Sequence, residues 1–501
     1  MGANIHDMND GQRQTPILTA LQAHVATERV SLHVPGHKAG QLLPTGADAW
    51  MQAMAALDGT ELPGLDDLYR PVGAIASAQA LAASAFGSDE AYFLVGGSTV
   101  GNLAAILAVV RRGQWVIAAR NCHESVWHAL RLAGARVQVV TPALLYTGEG
   151  GAVYGPVTDE LMRRAVASCP QAVAVVLTSP TYAGVATRLE ALVGHVHQSG
   201  MVVVIDEAHG AHLPFHPELP ASGIQAGADL VVQSTHKMTA ALTQTGLLHR
   251  SGERVSSQRV LRALRMVQTS SPSYPLLASI DMVRSQLAIS GLDRIAQVRA
   301  HLAGGVEALE RVCPGLLWKP DGVQVDPFKW LLIAPALGLA GIDLADALRE
   351  QFGIFSEWAD EHHVLCCWSY ANSAQDVRLV VEALAAIAKT SASRSGKGLT
   401  ASLDFAAYAS AAQAELAVLS AEAHWAEGDV HHDHLTQALG QVACESVTVY
   451  PPGVPLVLPG ETVTAEVVAC VLQALRRGMR VDGVTTSGTL DFVLAAPEAR
   501  G

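Results

Sequence analysis

The chain has 501 residues, of which 50% are hydrophobic and 16% are charged. This length exceeds what one ordinary core needs, so we expect two to four structural units. The 33 basic and 46 acidic residues give a formal net charge of -13, which argues against non-specific binding to nucleic acid. No membrane span is expected, and the polar start Met1–Asp7 does not predict a secretory signal.

The seven cysteines are spread along the chain at positions 122, 169, 313, 366, 367, 444 and 470, with no CxxC pair. An odd and scattered set of this kind does not build a disulfide framework. We therefore expect reduced thiols and a cytoplasmic location.

Short apolar runs alternate with amphipathic stretches between residues 80 and 250. The apolar runs predict strands at Ala91–Val95, Trp115–Ala118, Arg136–Val140, Ala172–Thr178, Met201–Ile205, Asp229–Gln233 and Gly246–His249. The amphipathic stretches predict helices at Asn102–Val110, Glu124–Ala133, Thr158–Ser168 and Leu189–Ser199. This alternation indicates crossover connections and a largely parallel sheet that is covered on both faces.

The second half of the chain has a less regular pattern. Residues 280–388 predict helices and a few strands, of which Leu331–Ile333 and Val364–Trp368 are the clearest. A polar stretch from Lys389 to Gly398 then indicates a linker. A helix is predicted at Asp404–Ala423, at the start of a C-terminal unit.

Asp206 and Lys237 are the most informative residues of the chain. Each follows an apolar run, Met201–Ile205 for the aspartate and Asp229–Val232 for the lysine. A lysine amine can bind the aldehyde of pyridoxal phosphate, and a carboxylate can keep the pyridine nitrogen protonated so that the ring accepts electrons. In open sheets, ligands collect at the carboxyl ends of strands. The pair therefore predicts an enzyme that uses pyridoxal phosphate.

The stretch Gly96-Gly97-Ser98-Thr99-Val100-Gly101-Asn102 follows a predicted strand and opens a predicted helix. Free amides at a helix start, together with two hydroxyl groups, can bind a phosphate. A plain helix-starting turn explains the same residues. His123, which follows the next predicted strand, is either an imidazole stacked on a cofactor ring or a polar loop residue.

A metal site is the alternative explanation of the stretch Asp206-Glu207-Ala208-His209-Gly210. Its two carboxylates need water, a metal or a partner charge, because a buried carboxylate is costly alone. Asp206, His209 and His212 could ligate a metal, although no second cluster of ligands supports this alternative.

Three other polar stretches have simpler interpretations. The histidines of Glu361–His363 and His431–His434 are interpreted as solvated loop residues. The loop Tyr450–Pro455, followed by Pro459-Gly460-Glu461, is either a surface turn or a rigid loop that positions a substrate. Composition alone does not decide between these two interpretations.

Together these motifs resemble one family, the fold-type-I ornithine, lysine and arginine decarboxylases that use pyridoxal phosphate. The likeness is to the shorter members without an N-terminal wing domain, and it spans nearly the whole chain. The motifs that carry it are Pro35-Gly36-His37-Lys38, Leu62–Leu68, Gly96–Asn102, Asn121-Cys122-His123, Ser179–Val185, Asp206–Gly210, Ser234–Lys237 and Tyr450–Pro455.

The resemblance implies roles for the matching residues. Lys237 would bind the cofactor covalently, and Asp206 would pair with the ring nitrogen. His123 would stack on the ring, with Ala208 against the opposite face. The cofactor phosphate would be bound by Ser98, Thr99, Ser234 and His236.

The resemblance also implies a substrate and a reaction. The reaction would be decarboxylation of a basic L-amino acid, with arginine favoured and lysine or ornithine next. Glu357 matches a position near the substrate side chain, and Lys237 or His209 would return a proton to the product. The expected partners are this substrate, pyridoxal 5'-phosphate and further copies of the chain in a homodimer or larger homo-oligomer, without a metal, nucleic acid or membrane.

The expected fold is α/β, with an aspartate-aminotransferase-like large domain, a smaller α/β domain and a C-terminal α+β domain. The predicted boundaries are 1–70 for an N-terminal arm, 71–285 for the pyridoxal-phosphate-binding large domain, 286–388 for the small domain, 389–403 for a linker and 404–501 for the C-terminal decarboxylase domain. Two other functions stay open: a different fold-type-I enzyme, such as an aminotransferase or C–S lyase, and a non-catalytic regulator.

Overall fold

The computed structural model of the protein describes residues 11–148, 151–392, 416–419, 431–434, 437–443, 445–450, 455–476, 480–484 and 491–494. In chain order its helices are α1 (Pro16–Thr27), α2 (Ala49–Ala56), α3 (Ala74–Phe86), α4 (Gly97–Val109), α5 (Glu124–Ala133), α6 (Asp159–Ser168), α7 (Leu189–Gln198), α8 (Ser257–Val267), α9 (Tyr274–Val312), α10 (Gly341–Phe352), α11 (Ala374–Ala392) and α12 (Ala465–Arg476).

The strands, in chain order, are β1 (Glu90–Leu94), β2 (Trp115–Ala119), β3 (Arg136–Val140), β4 (Leu144–Gly148), β5 (Gly151–Tyr154), β6 (Ala172–Thr178), β7 (Val202–Asp206), β8 (Leu230–Ser234), β9 (Gly246–Arg250), β10 (Lys329–Ile333), β11 (Trp358–Ala359), β12 (His363–Cys367), β13 (Leu416–Leu419), β14 (His431–His434), β15 (Val447–Tyr450), β16 (Pro455–Val457), β17 (Arg480–Asp482) and β18 (Asp491–Leu494).

The chain divides into two compact units, each built from two separate stretches of sequence. The first unit contains Met1–Val109 and Val204–Ala296, and the second contains Val110–Val203 and Gln297–Gly501. The division after Ala296 falls inside α9. In the described part of the chain, no helix combines the length and apolar character that crossing a membrane requires.

In the first unit, four strands pair in the order β1-β9-β8-β7. β7 and β8 run parallel, whereas β9 runs antiparallel to both β8 and β1. The carboxyl ends of β1, β7 and β8 therefore lie at one edge of the sheet. α4 packs so closely against this sheet that a Cβ atom on Gly101 would lie 2.5 Å from Cγ1 of Val232. A glycine at this position is what allows the close approach.

In the second unit, four strands pair in the order β6-β2-β3-β13. β2 runs parallel to β3 and β6, as the sequence predicts, and β13 adds to the edge in the antiparallel direction. The predicted helix at Asp404–Ala423 is therefore wrong at Leu416–Leu419, which forms β13. Pairing with β3 decides the structure there, because tertiary contacts override local helix propensity. The other residues of that predicted helix lie outside the described ranges.

A smaller antiparallel sheet of the second unit has the order β10-β12-β11. It contains the two strands predicted at Leu331–Ile333 and Val364–Trp368. α10 contacts β11 and β12, and both α10 and α11 contact the short 3-10 helix Ala334–Leu337 that follows β10. The predicted linker is wrong at its start, since Lys389 to Ala392 complete the last turn of α11. Its remaining residues are outside the described part.

The C-terminal stretch of the second unit has a core of its own. β15 pairs with both β16 and β17, and α12 supplies Val467, Cys470 and Val471 to the buried cluster. This cluster also includes Ala152 from the hairpin β4–β5, which the sequence pattern does not predict. The hairpin therefore joins the C-terminal core to the rest of the second unit.

The predicted α/β fold class is confirmed. The predicted strands between residues 80 and 250 are all present, with ends that differ by a residue or two. α4 begins at Gly97 rather than Asn102, because packing against the sheet outweighs the low helix propensity of glycine. The predicted domain boundaries follow the chain continuously and stay predictions.

Candidate active site

Asp206 ends β7 and has a side chain that is almost completely buried. Its Oδ2 accepts a hydrogen bond of 3.0 Å from Nδ2 of Asn102, and its Oδ1 accepts one of 3.2 Å from the amide of Ala208. Asn102 lies in the second turn of α4, so the helix after β1 supports the carboxylate at the end of β7. These bonds hold the carboxylate in one orientation at the sheet edge.

Lys237 follows the end of β8, and its Nζ lies 3.3 Å from Nε2 of the buried His209. His209 comes three residues after Asp206. The first unit therefore brings together an amine, an imidazole and a carboxylate at the carboxyl ends of two neighbouring parallel strands. Lys237 and His209 are thus in contact, and Asp206 ends the neighbouring strand; that the three residues share one site stays a prediction.

The start of α4 and the end of β8 meet through two hydroxyl groups. Oγ of Ser234 donates a 2.9 Å hydrogen bond to Oγ of Ser98. Thr99 is exposed in the same first turn, and Nδ1 of His236 donates to the Thr245 carbonyl at 2.8 Å. A first helical turn with adjacent hydroxyl groups can bind an anion.

Glu207 points away from Asp206 into a series of buried polar groups. Its Oε2 accepts from the amide of Gly223 at 2.5 Å, and its Oε1 accepts from Nε2 of Gln233 at 2.7 Å. The side-chain oxygen of Gln233 lies 3.2 Å from Nε2 of His249, whose Nδ1 lies 3.0 Å from Oγ of Ser88. These contacts therefore form a continuous polar network from Glu207 to Ser88.

Burial decides the protonation of both titratable members of this network. Removal from water raises the pKa of Glu207 to about 8, and the nearby Asp206 carboxylate contributes in the same direction. Burial also lowers the pKa of His249 to about 3, because the charged imidazolium is costly away from water. At neutral pH, Glu207 is therefore largely protonated and His249 is neutral.

The metal alternative at Asp206, His209 and His212 finds no support in this geometry. Among the described residues, the close group of potential metal ligands is a different one, made of His24, Glu28 and His33. His33 lies 2.5 Å from Glu28 and His24 lies 3.7 Å from it, so these residues already pair with one another.

The interpretation of Glu361–His363 as a solvated loop is wrong. His362 and His363 are buried, and His363 opens β12. Nδ1 of His363 lies 3.0 Å from Asp360, and its Nε2 lies 2.7 Å from the hydroxyl of Thr147. His431–His434 is likewise a strand, β14, rather than a loop. Pairing with distant strands places these polar stretches in sheets, which local sequence does not reveal.

His123 lies in the second unit, directly before α5. Its Nδ1 accepts a 3.1 Å hydrogen bond from the amide of Ser125, so the imidazole caps the helix. The ring is exposed. The structure thus places His123 as an exposed residue at the start of α5.

Glu357 also belongs to the second unit and is exposed, with Oε1 accepting a 2.5 Å hydrogen bond from the hydroxyl of Tyr182. Burial and the Glu357 carboxylate both raise the pKa of Tyr182. Gly353 terminates α10, and the strand β11 begins directly after Glu357.

A cavity of about 460 Å³ opens beside Glu357. Its walls combine the carboxylates of Glu357 and Asp376 with the apolar side chains of Phe355, Leu379 and Val380. On the other side of Tyr182, Nζ of Lys329 lies 5.8 Å from the phenol ring centre and donates to Sγ of Cys367 at 2.9 Å. The site around Glu357 therefore has an acidic and an apolar part.

The sequence analysis assigned no role to three residues that support the site. Asn102, Gln233 and Tyr182 hold Asp206, Glu207 and Glu357 through the bonds described above. A buried amide in the apolar helix α4 was the available signal for Asn102, since buried polar groups are normally hydrogen-bonded. Gln233 carries the same signal, as a buried amide in the apolar strand β8, whereas Tyr182 carries none.

Two domain families match this chain. The Orn/Lys/Arg decarboxylase major domain matches residues 15–307, and the Orn/Lys/Arg decarboxylase C-terminal domain matches residues 401–481. The chain belongs to the Orn/Lys/Arg decarboxylase family. The resemblance inferred from the sequence motifs is thereby confirmed.

Relatives within this family match nearly end to end. An arginine decarboxylase of Bacillus subtilis is 34% identical, over 98% of this chain and 99% of its own length. An arginine decarboxylase of Halalkalibacterium halodurans is 33% identical, over 94% of this chain and 96% of its own length. The crystal structure of the Francisella novicida lysine decarboxylase LdcF superimposes with a TM-score of 0.81 at 17% identity, covering 97% of this chain and 82% of that one.

Glu207→Gln should change how the stability of this family member depends on pH. The folded pKa of Glu207, about 8, lies above its ordinary value of 4.5. Stability is therefore greatest when the group is protonated and falls as pH rises from about 4.5 to 8. The glutamine variant lacks this loss, which should reach about 1.4 kcal/mol per pH unit inside that window.

Urea unfolding at a series of pH values measures this effect. The exposed Glu190→Gln on α7 serves as a control that leaves the buried polar network intact. Wild type, Glu207→Gln and Glu190→Gln all retain His249. Its contribution to the pH dependence of stability therefore cancels in the comparison. If the free energy of unfolding changed with pH in the same way for wild type and Glu207→Gln between pH 5 and 8, the raised pKa of Glu207 would be contradicted.

Proposed function

We propose that this protein is a pyridoxal-phosphate-dependent decarboxylase of basic L-amino acids, with arginine preferred over lysine and ornithine. The observation that carries the proposal is the end-to-end likeness to relatives named arginine decarboxylase at 34% and 33% identity. The grouping of Lys237, Asp206 and His209 supports it, because amine, carboxylate and imidazole are the groups that this chemistry requires.

The residues of the first unit fit pyridoxal phosphate. The buried carboxylate of Asp206 suits a protonated pyridine nitrogen, and Nζ of Lys237 suits the aldehyde. The paired hydroxyls of Ser98 and Ser234 lie at the first turn of α4, which suits the phosphate, with Thr99 and His236 as further contacts. In this proposal Ala208 and His123 contact opposite faces of the ring.

When bound, the cofactor supplies the electron sink that accepts the electron pair left by departing carbon dioxide. The contribution of Asp206 is electrostatic, because its fixed carboxylate stabilises positive charge on the ring nitrogen without reorganisation. Lys237 would hold the cofactor through its side-chain amine. Either Lys237 or His209 then donates the proton to Cα, and their 3.3 Å contact allows a proton to pass between them.

Substrate selection is proposed to rest on Glu357. An exposed carboxylate can accept two parallel hydrogen bonds from a guanidinium, which favours arginine. Tyr182 holds Oε1 of Glu357 and so restricts the orientation of the carboxylate. The apolar wall beside it suits the methylene groups of a basic side chain.

A product assay tests the reaction itself. Purified protein, loaded with pyridoxal phosphate, is incubated separately with arginine, lysine and ornithine. Carbon dioxide and the matching amine are expected, most rapidly from arginine. Formation of a keto acid only with an added 2-oxo acid would indicate an aminotransferase, and a cofactor-loaded but inert protein would indicate a regulator.

Lys237→Ala should abolish the covalent link to the cofactor, because no amine remains at the end of β8. Borohydride reduction followed by peptide mass spectrometry should find modified Lys237 in wild type and no modified lysine in the variant. Lys329→Ala is a matched control with a buried lysine elsewhere. A reducible lysine adduct that survives in Lys237→Ala would contradict the assignment.

Asp206→Asn should reduce turnover far more than cofactor occupancy. Asparagine keeps the shape and a contact to the ring nitrogen but does not hold the nitrogen protonated. Loss of such a preorganised electrostatic contact typically lowers kcat by on the order of 10²-fold or more. Occupancy is measured by cofactor absorbance and turnover by amine release. Near-normal turnover at full occupancy would refute the role of Asp206.

Glu357→Gln should raise KM for the preferred basic substrate while leaving cofactor absorbance unchanged. The charge-assisted hydrogen bond to the distal cation contributes roughly 1.5–3 kcal/mol, so KM should rise about ten- to a hundredfold. Glu361→Gln, a nearby acidic residue, is the control. Unaltered KM values for arginine, lysine and ornithine would remove Glu357 from the substrate site.

The protein should be an obligate homodimer or a larger homo-oligomer. Large apolar side chains of the first unit are exposed in the N-terminal segment, namely Val30, Leu32, Val34, Leu42 and Trp50. Covering them with a second copy would remove this surface from water. Light scattering measures the assembly, and Leu32→Asp should shift it toward monomer with loss of activity. A fully active wild-type monomer would contradict this expectation.

A further inference from the structure

A buried ion pair joins Arg120 to Glu461 in the second unit. Nη1 of Arg120 donates to Oε2 of Glu461 at 3.0 Å, and Nη2 donates to Oε1, so the contact is bidentate. The side chain of Arg120 is fully buried, and that of Glu461 is 5% exposed. Each of these buried charges would be strongly destabilising without the other, because burial removes it from water.

The remaining polar atoms of this pair are also used. Nε of Arg120 donates to the hydroxyl of Thr141 at 3.3 Å, and Oε2 of Glu461 accepts from the amide of Leu458 at 2.9 Å. The guanidinium and carboxylate planes are therefore fixed by contacts on both sides. This geometry restrains the backbone at both residues, in addition to balancing their charges.

On one side, the pair restrains the turn that leads to His123. The amide of Arg120 continues the strand pairing by donating to the Val140 carbonyl at 2.8 Å, and the amide of Cys122 closes a turn onto Ala119 at 3.1 Å. His123 follows at once and caps α5. A shift of Arg120 would therefore be transmitted over three residues to the imidazole.

On the other side, Glu461 belongs to the C-terminal core. Gly460, with a φ of 95°, donates from its amide to the Ala443 carbonyl at 2.7 Å, and the amide of Ala443 donates to the Glu461 carbonyl at 2.9 Å. Ala443 lies in the buried cluster that α12 and β15 share. The turn Pro459-Gly460-Glu461 thus presents a rigidly held carboxylate.

We propose that Glu461 is a positioning residue of the cofactor site: through Arg120, the C-terminal core holds the loop that carries His123. This inference rests on the proposed function, in which His123 stacks on the pyridoxal phosphate ring. It gives the C-terminal part of the chain an indirect role in cofactor binding, through Arg120 and His123. In this proposal the turn Pro459-Gly460-Glu461 is a rigid loop that positions a cofactor contact, whereas the sequence suggested a surface turn or a loop that positions a substrate.

The test compares Glu461→Gln with Asp281→Asn. Both substitutions remove the acid of a fully buried arginine pair, but Asp281 binds Arg284 and the amide of Ile17 in the first unit. Hydrogen–deuterium exchange of the cofactor-free proteins should show faster exchange at residues 120–126 in Glu461→Gln alone. The affinity for pyridoxal phosphate should fall about tenfold or more in the same variant, the size of a typical coupling between contacting residues.

A double-mutant cycle with His123→Ala then distinguishes positioning from general destabilisation. If Glu461 acts through His123, Glu461→Gln should cause little further loss of cofactor affinity, and no further change in cofactor circular dichroism, in the His123→Ala background. Additive losses in that background would overturn the proposal. Unchanged exchange at residues 120–126 in Glu461→Gln would overturn it as well.

The remaining outcomes of these experiments are also decisive. If Glu461→Gln does not fold, the combination Arg120→Met with Glu461→Met removes both charges at similar volume and is subjected to the same measurements. Wild-type protein that binds no pyridoxal phosphate would overturn the proposed function and this inference together. Normal cofactor binding with unchanged exchange in the Glu461 variants would overturn the positioning role alone.

Discussion

A carboxylate buried at the end of a strand is the constraint on which the site depends. Asp206 is 1% exposed, so its charge must be held by neighbouring donors or by a ligand cation. Asn102 reaches it from α4, and that helix can approach because Gly101 has no side chain to meet Val232. The close packing of α4 and the orientation of Asp206 therefore depend on each other.

The two neighbouring acids at this sheet edge lie in different surroundings. Asp206 accepts hydrogen bonds from the Asn102 side chain and the Ala208 amide. Glu207 faces the interior, where burial raises its pKa to about 8. Because Glu207 is neutral, it adds no second negative charge beside the Asp206 carboxylate.

The second unit contributes residues that depend on long-range contacts. His123 gains its position from a turn that Arg120 anchors, and Arg120 in turn needs Glu461 from far along the chain. Glu357 is oriented by Tyr182 from a different stretch of sequence. Both side chains are thus held by residues from distant parts of the sequence.

Much of this protein was determined by its sequence alone. Apolar runs of strand length predicted the strands between residues 80 and 250, and the polar residues after those runs predicted where Asp206 and Lys237 would lie. Both inferences depend on local periodicity and on the geometry of parallel strands. The combination of motifs, taken with their order along the chain, was sufficient to predict the decarboxylase family.

Tertiary structure alone decided the rest. Leu416–Leu419 became a strand and His363 a buried residue because pairing partners distant in sequence, β3 and β10, were available. The hydrogen bonds from Asn102 to Asp206 and from Arg120 to Glu461 join side chains that are far apart in sequence. No helix or strand periodicity relates their positions. Local sequence specifies which groups a chain can bury, but packing determines which buried groups become partners.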